Sequence, residues 1–333
     1  MPKNTRSPKA PRVEPVPEVV TVFHPNDGVV TEAPGVLQPS RIAFADAERG
    51  LTLYQGDCLA VMDALAAKHP NGCFDLIFAD PPYFLSNGGI TCHGGRMVKV
   101  DKGAWDKTRG AEENHNFNRE WLRRCQALLK PNGTLFVSGT HHVIFSVGYA
   151  MQQLGMKVLN QITWQKPNPP PNLACRYFTH STETVLWAGK NAKSRHLFNY
   201  ADMRRDNGGK QMKDVWKFAA PRREEKRSGR HPTQKPLILL ERIILAASNP
   251  GDLVMDPFLG SGTTVIAAAL LKRRCVGIES DAKHVELAAS RIREALQPRL
   301  VQGELEVTPP APAGATESTR DADGLLLGAT GDR

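Results

Sequence analysis

The run Phe74-Asp75-Leu76-Ile77-Phe78-Ala79 stops at Asp80-Pro81-Pro82-Tyr83. Its length and apolar character predict a buried strand. The prolines end it, because proline has no N–H to give a sheet ladder. In an open α/β sheet, ligands gather outside the C-terminal ends of strands. One carboxylate, two stiff rings and one aromatic side chain therefore fall together where a ligand would sit. The group suits a flat ring that carries an amino group. Asp80, Pro81, Pro82 and Tyr83 are the candidate residues of that pocket, with Phe84 beside them.

A second constellation lies near the other end of the chain. Leu253-Val254-Met255-Asp256 predicts a strand, Gly260-Ser261-Gly262 a tight turn, and Thr263 onward a helix. The glycines let the backbone bend and let a ligand approach without a Cβ in the way. The helix points its N-terminus at that ligand. Glu279 ends the next strand, about 20 residues on, where a carboxylate accepts hydrogen bonds from ribose hydroxyls. A dinucleotide site would show a third glycine, and a phosphate-binding loop would show Gly-Lys-Ser/Thr. Neither is present, which leaves a mononucleoside-type ligand. A bare strand-to-helix turn without a ligand is the bland alternative, and the terminal Glu279 argues against it.

Strands and helices alternate between these two stretches, which predicts a mainly parallel sheet with helices on both faces. The folded unit is expected over residues 41–297. Residues 1–40 and 298–333 lack hydrophobic periodicity and are expected to be disordered. Residues 84–107, rich in glycine, predict a mobile loop that closes over a bound base. No apolar run approaches the ~18–20 residues that cross a bilayer. The six cysteines form no C-x-x-C pair, so they read as reduced thiols of a cytoplasmic protein, and no His/Cys spacing predicts a metal site.

The net charge is +9 and its distribution is uneven. Residues 190–230 carry 13 Lys and Arg against 5 Asp and Glu. This stretch, with Phe198, Tyr200, Trp216 and Phe218 interleaved, reads as a basic insertion that meets nucleic acid, with Arg and Lys on phosphates. A solvated surface is the bland alternative. Lys210, Lys213, Arg222, Arg223 and Arg227 are candidate DNA contacts, as are Phe84, Asn168 and Arg176 at the pocket edge.

With D-P-P-Y followed by D-P-F-x-G-S-G-T-T, the chain resembles the β group of S-adenosylmethionine-dependent DNA amino-methyltransferases. His231-Pro232-Thr233-Gln234-Lys235-Pro236, Gly277-Ile278-Glu279 and Gln55-Gly56-Asp57 extend the resemblance across residues 51–296. It implies a seven-stranded, mostly parallel, Rossmann-like sheet and a base flipped out of DNA. On that base Asp80 would accept one amino hydrogen and the carbonyl of Pro81 the other, which draws the nitrogen towards tetrahedral geometry and frees its lone pair. Tyr83, helped by Phe84, would stack on the ring, an interaction worth ~1–3 kcal/mol per base. The resemblance thus makes Asp80, Pro81, Pro82 and Tyr83 the candidate catalytic residues. It also implies that Asp256, Phe258, Gly260, Gly262, Thr263 and Glu279 line the cofactor. Asp57, Cys58 and Asp80 would meet it from the other side, with Thr233, Gln234 and Lys235 at its methionine end. Members that act on adenine N6 usually carry D-P-P-Y, and β-group members that act on cytosine N4 usually carry S-P-P-Y. Asp80 therefore favours adenine over cytosine, and its presence argues against a DNA-binding protein without turnover. The resemblance further suggests a homodimer, and either a partner restriction endonuclease or a solitary methyltransferase; the expected location is the cytoplasm, on the nucleoid.

Overall fold

The computed structural model describes residues 40–86, 106–229 and 231–297, and the backbone alone of four short strands at 90–93, 96–99, 299–301 and 304–306. The mobility expected of residues 84–107 and the disorder expected of residues 1–40 and 298–333 fall mostly outside the described residues. Two details inside them differ from expectation. Ile90–His93 (β4) pairs antiparallel with Arg96–Lys99 (β5), and Arg299–Val301 (β12) pairs with Glu304–Glu306 (β13).

The central sheet is built from Arg41–Asp46 (β1), Leu51–Gln55 (β2), Phe74–Ala79 (β3), Leu129–Gly139 (β6), Lys157–Gln165 (β7), Thr182–Gly189 (β8), Val215–Lys217 (β9), Leu253–Asp256 (β10) and Arg274–Glu279 (β11). Their order is β1-β2-β11-β10-β3-β6-β8-β7-β9. The sheet thus has nine strands rather than the seven expected. The extra two come from places where the sequence pattern is weak. β1 is a largely exposed edge strand, and β9 is only three residues long inside the basic stretch. Strands β2, β11, β10, β3 and β6 are mutually parallel, whereas β8 runs antiparallel to both its neighbours, β6 and β7.

Successive residues of β3 explain why it reads as apolar throughout. Leu76 and Phe78 join one core, while Ile77 and Ala79 join the other. A strand covered on both faces cannot alternate with polar residues. Cys58–Lys68 (α1), Ala111–Leu128 (α2) and Ile144–Gln153 (α3) supply one cover. Leu237–Ala247 (α5), Thr263–Leu270 (α6) and Ala282–Leu296 (α7) supply the other.

Lys130-Pro131-Asn132-Gly133, a run of turn-forming residues, makes a bulge inside β6. Phe74 faces Leu129 and the next paired residue, Leu76, faces Thr134. Pro236 stands just before α5, as its N-cap.

The basic stretch is more integrated than an insertion. It forms a short helix, Tyr200–Asp206 (α4), and then strand β9, whose Trp216 is buried in the core. Trp216 and Phe218 are therefore packing residues and not DNA-facing aromatics. Among the described residues no helix is long and apolar enough to cross a membrane.

Candidate active site

Because β3 and β10 are parallel neighbours, with Ile77 opposite Met255, the two motifs arrive side by side at one sheet edge. β11 and β2 extend that edge, with Glu279 opposite Gln55. One cavity runs along it from Gly56-Asp57-Cys58, past Glu279 and Gly260, to Asp80 and Tyr83.

At the glycine end the carboxylates hold backbone. Glu279 accepts from the Gly260 N–H at 2.9 Å and the Asp281 N–H at 2.8 Å. Asp256 accepts from the Phe258 N–H at 3.0 Å and from the Thr264 hydroxyl. Burial pushes the Asp256 carboxyl up to about 7, against the pull of those two donors, and it raises Glu279 as well. Gly262 has φ +82, and a Cβ there would meet Ala288 of α7 at 3.1 Å. Its lack of a side chain therefore serves the packing of α7 on the turn as much as any ligand. At Gly260, φ +54, a Cβ would meet the His231 ring at 3.1 Å. Arg291 reaches from α7 to the Ser261 carbonyl and to the Thr263 hydroxyl, which fastens the turn from below.

Asp57 caps α1 by accepting from the Ala60 N–H at 3.0 Å. Beside it, burial pushes the Cys58 thiol up to about 12, so it lines the cavity as a neutral group. Phe258 stands edge-on to Trp121 at 5.4 Å and beside Phe117 at 6.4 Å, giving the cavity an aromatic wall from α2. His231 packs on His284 at 4.2 Å. Its burial, then the nearby His284 and Lys235, take it down to about 3, so it is neutral.

At the Asp80 end charges do the holding. The Tyr83 hydroxyl donates to Asp80 Oδ1 at 2.7 Å, and Lys235 Nζ donates to Oδ2 at 2.5 Å. Burial raises the Asp80 carboxyl above its ordinary range, and Lys235 pulls it part of the way back. Burial also presses on Lys235, but Asp80 and Glu183 hold its ammonium above the usual value. Tyr83 is only 7% exposed. Its ring lines the cavity, but its hydroxyl serves Asp80, a role the expected base stacking did not include. Lys235, expected at the cofactor's methionine end, likewise lines the cavity, with its ammonium on the Asp80 carboxylate.

Asp106 is the residue that sequence reasoning missed most clearly. It is fully buried and accepts from the Tyr83 N–H at 2.9 Å, the Leu85 N–H at 3.1 Å and the Ser86 hydroxyl at 2.9 Å. The Ser86 N–H donates back to the Asp106 carbonyl at 3.1 Å. The two ends of the 84–107 loop are thus clasped directly behind D-P-P-Y. The clasp also fixes Phe84 at φ 57, a left-handed conformation that costs a bulky residue energy. Phe84, expected against DNA, is half-buried and edge-on to Phe117 at 6.2 Å.

The other expected DNA contacts are surface residues. Asn168 and Arg176 are exposed on the β7–β8 connection, and Lys210 and Lys213 precede β9. Arg222, Arg223 and Arg227 flank a turn whose Glu225 accepts from the Leu237 N–H at 2.8 Å, while its carbonyl accepts from Gln234 Nε2 at 2.8 Å. That turn is therefore tied to the loop that carries Lys235. Also on the β6 and β7–β8 edge, His142, His141, His180 and Tyr177 adjoin in sequence at 3.8, 4.8 and 5.3 Å between ring centres, the middle pair stacked and the outer two tilted. Among the described residues no cluster of His, Cys, Asp and Glu could hold a metal ion.

The fold and site define an α/β transferase that keeps a nucleoside-type donor beside a buried amine acceptor. Residues 74–290 match the family described as DNA methylase, the N6/N4 methyltransferases. The type II methyltransferase M2.DpnII of Streptococcus pneumoniae is 58% identical over 219 residues, 66% of this chain and 82% of its own. M2.MboI of Moraxella bovis is 48% identical over 251 residues, 75% of this chain and 90% of its own. The crystal structure of the M1.HpyAVI–SAM complex is 29% identical, with a TM-score of 0.55 over 72% of this chain and 98% of that one. The cytosine-N4-specific PvuII DNA methyltransferase, 18% identical with a TM-score of 0.58 over 73% and 86%, shares the fold alone.

The chain belongs to the DNA methylase family, and its cofactor is S-adenosylmethionine. The cavity suits that group. The Glu279 carboxylate stands at the end of β11, Phe258 offers an aromatic face, and the buried Oε1 of Gln234 on the cavity wall has no protein partner.

Proposed function

We propose that this enzyme transfers a methyl group from S-adenosylmethionine to the exocyclic N6 of an adenine turned out of DNA. One observation supports this most directly: the buried Asp80 carboxylate, held by Tyr83 and Lys235, shares a cavity with the Gly260 turn and Glu279. The bound cofactor supplies an electrophilic methyl on a positively charged sulfur. The protein's part is positioning and charge. Asp80 accepts one amino hydrogen and the Pro81 carbonyl the other, which localises the lone pair on nitrogen. Alignment of nitrogen and methyl then accounts for much of the rate. The raised Asp80 carboxyl favours uptake of the proton that the nitrogen sheds. Glu279 accepts from the ribose hydroxyls, and Asp57, Cys58, Asp256, Phe258, Thr233, Gln234 and Thr263 line the cofactor. An apolar wall excludes water and strengthens the charge interactions.

DNA lies along the sheet edge. Arg222, Arg223 and Arg227 meet phosphates beside the methionine end, and Lys210, Lys213, Asn168 and Arg176 extend the track. The exposed row from His142 to Tyr177 offers faces to bases. Burial lowers His141, so that ring stacks as a neutral group. On this reading the enzyme works on cellular DNA at the nucleoid, as a homodimer and beside a restriction endonuclease. The test is mass spectrometry of nucleosides from DNA treated with the protein and labelled cofactor. N6-methyladenine supports the reading, and N4-methylcytosine overturns the choice of base.

A further inference from the structure

β8 runs against both its neighbours, so its beginning, not its end, lies at the edge that carries Asp80. That reversal brings Glu183, the second residue of β8, to the catalytic carboxylate. Glu183 is ion-paired with Lys166 at the end of β7, and its Oε2 stands 3.7 Å from Lys235 Nζ. Lys235 Nζ is also 2.5 Å from Asp80 and 3.3 Å from the Tyr83 hydroxyl. The side chains of Lys235 and Glu183 are 7% and 12% exposed. Four charges thus alternate in sign from one contact to the next, Asp80, Lys235, Glu183 and Lys166. Tyr83 and, at the end of the adjacent β10, Asp256 are further titratable groups close to Asp80.

An ammonium fixed on Asp80 alone would be a liability. Positive charge grows on the amino nitrogen as it gains the methyl group, and a cation beside the accepting carboxylate opposes that growth. In a buried site such repulsion is weakly screened. A second carboxylate across the ammonium offsets it and gives Lys235 somewhere to lean when the amine arrives.

We propose that Glu183 is a positioning residue for methyl transfer, acting through Lys235: it holds the ammonium shared between two carboxylates, so that Asp80 keeps an oxygen available to the incoming amine. The proposal rests on Asp80 being the amine acceptor. It also gives Lys235 a task separate from cofactor binding. The ion pair with Lys166, itself at the mouth of the β7–β8 connection, keeps Glu183 turned towards the site.

The experiment compares Glu183→Gln, Lys235→Met and Lys235→Arg in the full chain. Turnover against pH, cofactor affinity by calorimetry and the titration of isotope-labelled aspartate carboxyls are measured for each. Removing Glu183 takes away a charge that raises Asp80, and removing Lys235 takes away one that lowers it. Glu183→Gln should move the acid limb of kcat to lower pH and reduce kcat about 10-fold, a part of the ~10²–10⁴-fold that a positioned acid–base group contributes, with cofactor affinity within about threefold. Lys235→Met should move the limb to higher pH, and Lys235→Arg should bring it back. An unmoved limb and carboxyl titration in Glu183→Gln would overturn the proposal. So would a Lys235→Met enzyme whose only change is weaker cofactor binding. The carboxyl titration needs no turnover, so it decides on Glu183 even if Lys235→Met does not fold. A wild-type enzyme that binds cofactor but methylates no DNA would instead overturn the reading of the site itself.

Discussion

The two ends of the cavity are built on different principles. At the glycine end, carboxylates accept mainly from backbone N–H groups: Asp256 from Phe258 and Glu279 from Asp281, each two residues on, and Glu279 also from Gly260 of the turn. At the Asp80 end, side chains from separate elements meet. Lys235 comes from the loop before α5, Glu183 from β8 and Asp106 from the far side of a long loop. A local hydrogen-bonded turn keeps its shape with or without the reaction. A network of buried charges sets the protonation and aim of one carboxylate, and it changes whenever any partner changes. On the proposed assignment, the glycine end is accordingly a fixed cradle for the cofactor, and the Asp80 end is an adjustable reacting end.

That contrast can be broken from either side. Gly262→Val forces a branched side chain into a left-handed backbone and against Ala288. Strain of this kind costs about 1–3 kcal/mol, so calorimetry should show cofactor affinity falling by about 100-fold. Asp106→Ala releases the Tyr83 and Leu85 N–H groups from their acceptor. It should lower kcat by about 30-fold through misalignment of the D-P-P-Y turn, while cofactor affinity stays nearly constant. Weakened cofactor binding in this variant would show that the ends are not separable. Charge reversal of Arg222, Arg223 and Arg227 together should weaken DNA binding by about 10-fold at moderate salt and flatten its salt dependence, again without touching the cofactor. A binding isotherm at several salt concentrations checks this.

The smallest effect concerns His231, which packs between the ends. Its folded-state value near 3 lies below the ordinary 6.5, so the unfolded chain binds its proton first as pH falls. Its contribution is therefore complete above about pH 6.5 and drains away towards pH 3, amounting to about 1 kcal/mol between pH 7 and 5.5. Urea melts at those two values should show His231→Asn losing less stability on acidification than the wild type.

The same contrast explains what the sequence revealed. The glycine turn, Asp256 and Glu279 were readable because their spacing along the chain is their geometry. β3 was readable because an unbroken apolar run ending in two prolines permits few alternatives. Lys235 was noticed, yet its partner was not, because nothing near His231-Pro232-Thr233 indicates a carboxylate on β3. Asp106 follows Trp105 in a stretch without periodicity, and only the closed loop shows that it faces Tyr83. β9 stayed hidden because three residues carry no period, and its basic neighbours suggested a DNA contact for Trp216 when the sheet had already buried it. Arg291 reads as one more charge on an amphipathic helix, while its guanidinium reaches under the glycine turn.

The most direct test pairs Asp80→Ala with Glu279→Ala and measures, for each, cofactor affinity and the rate of labelled methyl transfer to DNA. Asp80→Ala should bind the cofactor within about threefold of wild type and lose methyl transfer by at least about 1,000-fold, since both acceptance of the amine and its charge are gone. Glu279→Ala should lose affinity by about 10-fold or more but recover much of its rate at saturating cofactor, as expected when uniform binding is removed. Methyl transfer by Asp80→Ala at near wild-type rate, or equal losses of affinity in both variants, would contradict the division of the cavity into a cradle and a reacting end.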